Sequence, residues 1–148
     1  MFKGTFKHSL DAKGRIAIPN RLRQQLEKID DKEVLIITQG FEDCLLAYPP
    51  QEWEKMEQKA GQLALLDDAA RDFIRLYIGP ATECCLDKMG RVMIPGNLRD
   101  YAGIKKEVLI FGAVEKIEIW AKENYDNYIN EFRSSKNERI KKMKDIGL

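Results

Sequence analysis

The chain repeats itself. Leu10-Asp11-Ala12-Lys13-Gly14-Arg15-Ile16-Ala17-Ile18-Pro19-Asn20-Arg21-Leu22-Arg23 returns 76 positions later as Leu86-Asp87-Lys88-Met89-Gly90-Arg91-Val92-Met93-Ile94-Pro95-Gly96-Asn97-Leu98-Arg99, with eight of fourteen positions identical. The echo continues: Glu33-Val34-Leu35-Ile36 matches Glu107-Val108-Leu109-Ile110, Gly40 matches Gly112, Leu45 matches Ile117, Tyr48 matches Trp120 and Trp53 matches Tyr125. Self-similarity over such a length means one structural unit used twice. A unit of about 45 residues is near the size at which a lone core becomes marginal. Two copies in one chain are therefore expected to pair around a pseudo-two-fold axis and bury one common core. The apolar fraction, 44% of 148 residues, is enough for that core and for one domain's worth of chain.

Each copy reads alike. A short strand (Thr5–Leu10, Ala81–Leu86) runs into Asp-x-x-Gly-Arg, where Asp11 and Asp87 can accept from turn amides and Gly14 and Gly90 supply a positive φ. A second strand follows (Arg15–Ile18, Arg91–Ile94), so each pair is expected to form a hairpin with the glycine-arginine step at its tip. Pro19 and Pro95 stop the strand and suit a helix start. Leu22, Leu26 and Ile29 keep helical spacing in the first copy; Leu98 and Ala102 do so in the second. Strands Val34–Thr38 and Cys44–Tyr48 are echoed by Val108–Phe111 and Ile117–Trp120. Pro50 opens a helix with Trp53 and Met56 on one face. Asp67 or Asp68 can cap another, striped with Ala70, Phe73, Ile74 and Tyr77 and ended by Gly79-Pro80. A single basic-ended helix is expected from Lys122 to about Lys144. The expected organisation is a first unit at 1–50, a helical insert at 51–78, a second unit at 79–122 and a C-terminal basic helix at 123–148. The expected class is α+β.

Several chemistries are excluded. Three cysteines, Cys44, Cys84 and Cys85, make a poor disulfide framework, and one histidine, His8, without C-x-x-C argues against a zinc site. No phosphate loop, dinucleotide fingerprint or nucleophile elbow is present. No catalytic, metal-binding or cofactor-binding residues are therefore expected. No apolar run approaches membrane-span length, and Met1–Thr5 lacks the apolar core of a signal peptide, so a soluble, cytoplasmic chain is expected. The net charge of +1 conceals segregation. Residues 1–26 carry six basic side chains against one acidic, residues 27–83 six against thirteen, and residues 133–148 six against two. Basic ends around an acidic middle can turn a positive face to an anionic partner.

Asp11-Ala12-Lys13-Gly14-Arg15 with Ile18-Pro19 and Leu22-Arg23 resembles the core signature of AbrB-type swapped-hairpin DNA-binding proteins. Two copies in one chain, beginning Met1-Phe2-Lys3-Gly4 and ending in a basic helix, resemble the MraZ family of bacterial transcriptional regulators. The resemblance covers nearly the whole chain. It implies two swapped-hairpin units forming an AbrB-like barrel, repressor activity on the division and cell-wall gene cluster, and association with the nucleoid. It also implies double-stranded DNA as partner, through short promoter repeats, and ring-shaped homo-oligomers. Asp11, Arg15, Asp87 and Arg91 carry over from the family, and Leu22-Arg23 and Leu98-Arg99 from the broader fold. Met89 departs from the first copy's Lys13, although Lys88 sits one place earlier.

Lys13, Arg15, Arg23, Lys88, Arg91 and Arg99 are thus the candidate DNA-contacting residues, and Asp11, Gly14, Asp87 and Gly90 the turn-shaping ones. A two-stranded ribbon fits the major groove, where arginine can pair with guanine O6 and N7. For Arg15 and Arg91 the competing role is an ion pair with the aspartate four residues back; for Arg23 and Arg99 it is simple solvation. The first unit, richer in cations, is the expected main reader. The rival reading is an oligomeric scaffold or antitoxin-like protein-binding module, with apolar helices binding protein and DNA binding secondary.

Overall fold

A computed structural model describes residues 1–148. Its elements are β1 (Thr5–Ser9), β2 (Arg15–Ala17), α1 (Asn20–Arg23), β3 (Lys28–Ile29), β4 (Lys32–Gln39), β5 (Leu45–Tyr48), α2 (Pro50–Ala64) and α3 (Asp68–Phe73), the last extended by a π-helical turn at Ile74–Ile78. The second half holds β6 (Thr82–Cys85), β7 (Arg91–Met93), α4 (Gly96–Ala102), β8 (Glu107–Ala113), β9 (Lys116–Ala121), α5 (Lys122–Ser134) and α6 (Lys136–Asp145). One sheet follows the path β1-β8-β9-β5-β4-β3 with β6 also on β4; β2 and β7 form a separate ribbon.

The two copies exchange strands, and every pairing is antiparallel. β1 lies along β8 with Phe6 opposite Ile110, and β6 lies along β4 with Thr82 opposite Ile37. β2 pairs with β7, placing the equivalent residues Ile16 and Val92 opposite each other. The hairpin expected within each copy is therefore only a turn. Asp11 N–H donates to Arg15 O at 2.8 Å and Gly14 N–H to Asp11 O at 3.0 Å. Beyond that the strand finds its ladder in the other copy, and the ribbon is prolonged by Ile18 N–H to Gly90 O at 2.9 Å and Ile94 N–H to Gly14 O at 3.1 Å. The physical reason is burial: Ile16, Ile18, Val92 and Ile94 are all but fully buried, and only strands shared between the copies cover them from both sides.

One continuous core takes equivalent residues from both copies. Leu22, Leu35, Ile37 and Leu45 from the first meet Leu98, Val108, Ile110 and Ile117 from the second. Each such burial contributes about 1.5–3 kcal/mol against leaving the side chain in water. This set corrects one expected match. Glu33–Ile36 aligns with Glu107–Ile110 by identity, yet Leu10 N–H donates to Lys106 O and Leu86 N–H to Glu33 O. Lys106 is thus the spatial equivalent of Glu33, and Leu35 that of Val108. Had the literal match held, the side chains would have swapped faces, because a one-residue slip inverts a strand.

The helices cap the outer faces. α2 brings Trp53 onto Val34 and Ile36, and α5 brings Tyr125 against the cluster of Cys44, Leu46, Leu109 and Trp120. Asp67 caps α3, accepting from Ala69 N–H at 2.8 Å. Two expectations need correcting. Ile29 leaves the first helix, which stops at Arg23; it sits exposed in the β3–β4 hairpin, whose tip holds Asp30 and Asp31 at positive φ. The expected single C-terminal helix is two, α5 and α6, broken at Ser135, where the Ser134 and Ser135 hydroxyls both donate to Glu131 O. Such back-bonding competes with the helical ladder. No helix is long and apolar enough to cross a membrane.

A fragment of residues 1–50 lacks the strands that pair with β1 and β2 and the far half of the core. It is expected to be unfolded or dimeric by circular dichroism and sedimentation; a monomer with a cooperative melt would contradict the shared core.

Candidate functional site

The β2·β7 ribbon positions the site. Ile16 and Val92 take its inner face, so by the two-residue period Arg15, Ala17, Arg91 and Met93 take the outer one. Arg15 and Arg91 are offset along it by two residues, about 7 Å. Each begins a strand directly after its Asp-x-x-Gly turn.

The two turns are near-identical. Asp11 Oδ1 accepts from Lys13 N–H and Arg15 N–H, both at 2.9 Å, and its Oδ2 accepts from Arg15 Nε at 2.8 Å. Asp87 Oδ1 accepts from Met89 N–H and Arg91 N–H at 2.9 Å, and its Oδ2 from Arg91 Nε at 2.8 Å. Three donors on one carboxylate favour its charged form, and both carboxyls fall below their ordinary value of 3.8, the arginine backbone N–H being the largest cause. Arg15 Nη1 also lies 3.8 Å from Asp87 Oδ2, which ties the first turn to the second.

The structure gives Arg15 and Arg91 the ion pair with the aspartate four residues back. Nε closes the turn, which leaves the Nη ends at the ribbon's outer face. The side chains are 24% and 32% exposed, so neither arginine is a free tip. The free tips are Lys13, Lys88 and Met89, all exposed.

Arg23 and Arg99 are half-buried rather than merely solvated, and each crosses to the other copy's turn. Arg23 packs on Gly90 and Arg99 on Gly14; a Cβ built on Gly14 would stand 2.7 Å from Arg99 Nη1, and one on Gly90 would meet Arg23 closer still. Gly14 and Gly90, at φ +79° and +75°, thus satisfy two demands: left-handed backbone and room for a guanidinium. Arg23 is ion-paired with Glu33, Nε to Oε2 at 2.9 Å and Nη2 to Oε1 at 3.3 Å. Arg99 has no acidic partner, and its Nε is buried without a hydrogen bond. Glu33 and Lys106 escaped the sequence reading; their signal is the different connection between helix and strand in the two copies, visible only once the true offset is known.

The family description "MraZ protein, putative antitoxin-like" matches residues 1–76 and again residues 77–145. The chain belongs to the MraZ family. Among its relatives, the transcriptional regulator MraZ of Halothermothrix orenii is 41% identical over 148 residues, all of both chains. That of Natranaerobius thermophilus is 43% identical over 135 residues, 91% of each chain, and that of Carboxydothermus hydrogenoformans 41% over 146 residues, 99% of each. Both MraZ repeats contain one Asp-x-x-Gly-Arg turn and one crossing arginine.

Gly90→Ala is expected to destabilise the protein by at least about 1–2 kcal/mol, the cost of left-handed backbone for an L-residue, because the new Cβ must also displace the Arg23 guanidinium. Differential scanning calorimetry should show a drop in Tm of roughly 2–8 °C or more; an unchanged Tm would mean that the turn relaxes freely.

The aspartates also predict an acid response. A carboxyl held below its ordinary value when folded stabilises fully above that value and loses the contribution as pH falls through the depressed folded value. Wild-type Tm should therefore fall below about pH 4. The Asp11→Asn, Asp87→Asn double variant, already lacking the contribution, should show a shallower fall between pH 4 and pH 2.

Proposed function

We propose that the protein is a sequence-specific, DNA-binding transcriptional repressor without enzymatic activity or cofactor. It acts in the cytoplasm at the nucleoid, on short promoter repeats of the division and cell-wall gene cluster. The observation that carries the reading is the outer face of the β2·β7 ribbon, where two arginines offset by about 7 Å along the ribbon are each pinned by an aspartate and flanked by exposed Lys13 and Lys88. A ribbon of this kind enters a major groove about 12 Å wide. Its pinned arginines lose little side-chain entropy on meeting a base edge. Lys13, Lys88 and Arg99 are assigned to phosphates, which position the protein on the duplex.

In this reading the two units, 1–50 and 79–122, form an AbrB-like barrel about a pseudo-two-fold axis. The segments 51–78 and 123–148 serve assembly into a homo-oligomeric ring. Support for assembly comes from the apolar surface around α2 and α3, where Leu65 and Leu66 are 83% and 90% exposed, with Leu63, Leu76 and Phe41 nearby in the chain or exposed alongside them. The same surface supports the second reading, an oligomeric scaffold or antitoxin-like protein-binding module with secondary DNA binding. A chain that sediments as a monomer at micromolar concentration would count against both.

The deciding experiment is fluorescence anisotropy with duplex DNA from upstream of the chain's own gene cluster against a scrambled duplex. Preferential binding to the first is expected. Lys13→Met should lower the slope of log affinity against log salt by about 0.9, the effect of one lost phosphate contact, with melting unchanged. Equal affinity for the two duplexes would remove the sequence-specific reading.

A further inference from the structure

The two turns share backbone and hydrogen bonds, but their charged neighbours differ. Beside the second turn, Glu33 O accepts from Leu86 N–H, one residue before Asp87, and the Glu33 carboxylate takes both Nε and Nη2 of Arg23. The groove there is self-neutralised: Lys28, Lys32 and Lys88 share it with Asp30, Asp31 and Asp87. Beside the first turn, the equivalent backbone position is Lys106, whose O accepts from Leu10 N–H at 2.7 Å. The hairpin bearing Asp30 and Asp31 has no counterpart there; Gly103-Ile104-Lys105-Lys106 makes the connection instead. Arg99 lies over Gly14 with no carboxylate partner and with a buried Nε that donates to nothing. A guanidinium whose Nη1 end lies at the turn glycine with no acidic partner, beside the exposed Lys13, offers charge-assisted donors to an anion brought from outside.

We infer that each chain has one open phosphodiester seat and one closed one. The open seat is the Asp11–Arg15 turn, served by Lys13 and by Arg99 and Lys106 from the second copy. The closed seat is the Asp87–Arg91 turn, where Glu33 from the first copy occupies Arg23 as a phosphate would. The strand exchange makes this possible, since each turn is completed by the other copy's arginine. Glu33 is a positioning and masking residue, not a contact to DNA. The inference rests on DNA binding, but only on its phosphate component, which every duplex offers.

Anisotropy titrations over a salt series, on both the upstream and the scrambled duplex, test it with the full chain. Arg99→Gln should weaken binding several-fold and lower the salt slope by about 0.9. Lys106→Glu should act in the same direction and more strongly, because it removes one cation and supplies Arg99 with the partner that Arg23 already has. Glu33→Gln should tighten binding and steepen the slope by about 0.9 as Arg23 is released. The Arg23→Gln, Glu33→Gln double variant should bind as wild type does. Melting curves identify any variant that has lost its fold; should Arg99→Gln be one, Lys106→Glu carries the same test. Equal losses from Arg99→Gln and from the double variant, or no effect of Glu33→Gln, would overturn the inference. A wild-type chain that binds both duplexes equally removes sequence specificity alone, and these variants still report the seats on either duplex. Absence of binding to both overturns both readings.

Discussion

The burial of Ile16 against Val92 is the constraint on which the rest of the molecule hangs. A strand of three residues, with one side chain pointing inward, is far too short to hold a sheet by its ladder alone. Its stability comes from placing that one residue in a core that neither copy can build by itself. Once β2 lies on β7, each copy's first strand is carried to the other copy's long strand, β1 to β8 and β6 to β4. The turns between those strands then join two partners. Each is closed locally by the aspartate, whose carboxylate holds the turn amides and the arginine Nε together.

The outer face follows from the inner one. Because Ile16 and Val92 point in, Arg15 and Arg91 must point out, at a spacing set by the ribbon register rather than by their own flexibility. An arginine held through Nε by a carboxylate presents its Nη edge in a fixed plane. Bidentate recognition requires that arrangement, and a loose surface arginine would have to establish it at an entropic cost. The aspartates therefore fix both the turn and the direction of the guanidinium.

What was legible in the sequence was whatever is local. The Asp-x-x-Gly-Arg turn, the proline that ends each strand, the Asp67 cap and the apolar faces of α2 and α5 carry their physics within a few residues. What was hidden depends on partners far along the chain. The exchange of β2 and β7 cannot be told from an ordinary hairpin by alternation alone. The identical Glu-Val-Leu-Ile runs suggested one alignment, whereas the core selected another, one residue away, because Leu35 and Val108 both have to face inward. The short α1 and the β3–β4 hairpin account for the discrepancy: they give the first copy more chain between the shared leucine and the long strand. Ile29, with helical spacing from Leu26, was drawn into that hairpin. The break between α5 and α6 rests on two serine hydroxyls whose choice of acceptor is invisible in a helical pattern.

That same difference in connection has consequences at the surface. In a dimer of identical chains, an exchanged pair of turns would have to be equal, since any residue placed beside one would also stand beside the other. Fusing the copies removes the requirement. One extra hairpin in the first copy sets Glu33 where the second copy has Lys106, and the carboxylate falls on Arg23 alone. Arg99, on the same scaffold and packed likewise on its glycine turn, is left with an unpaired guanidinium. Charge reversal at a single equivalent position, transmitted through strand exchange, is enough to make two turns of nearly identical geometry unlike in what they can hold. Hydrogen-bond geometry alone would have declared them the same; the difference lies in whether the residue whose carbonyl receives the strand before each turn is a glutamate or a lysine.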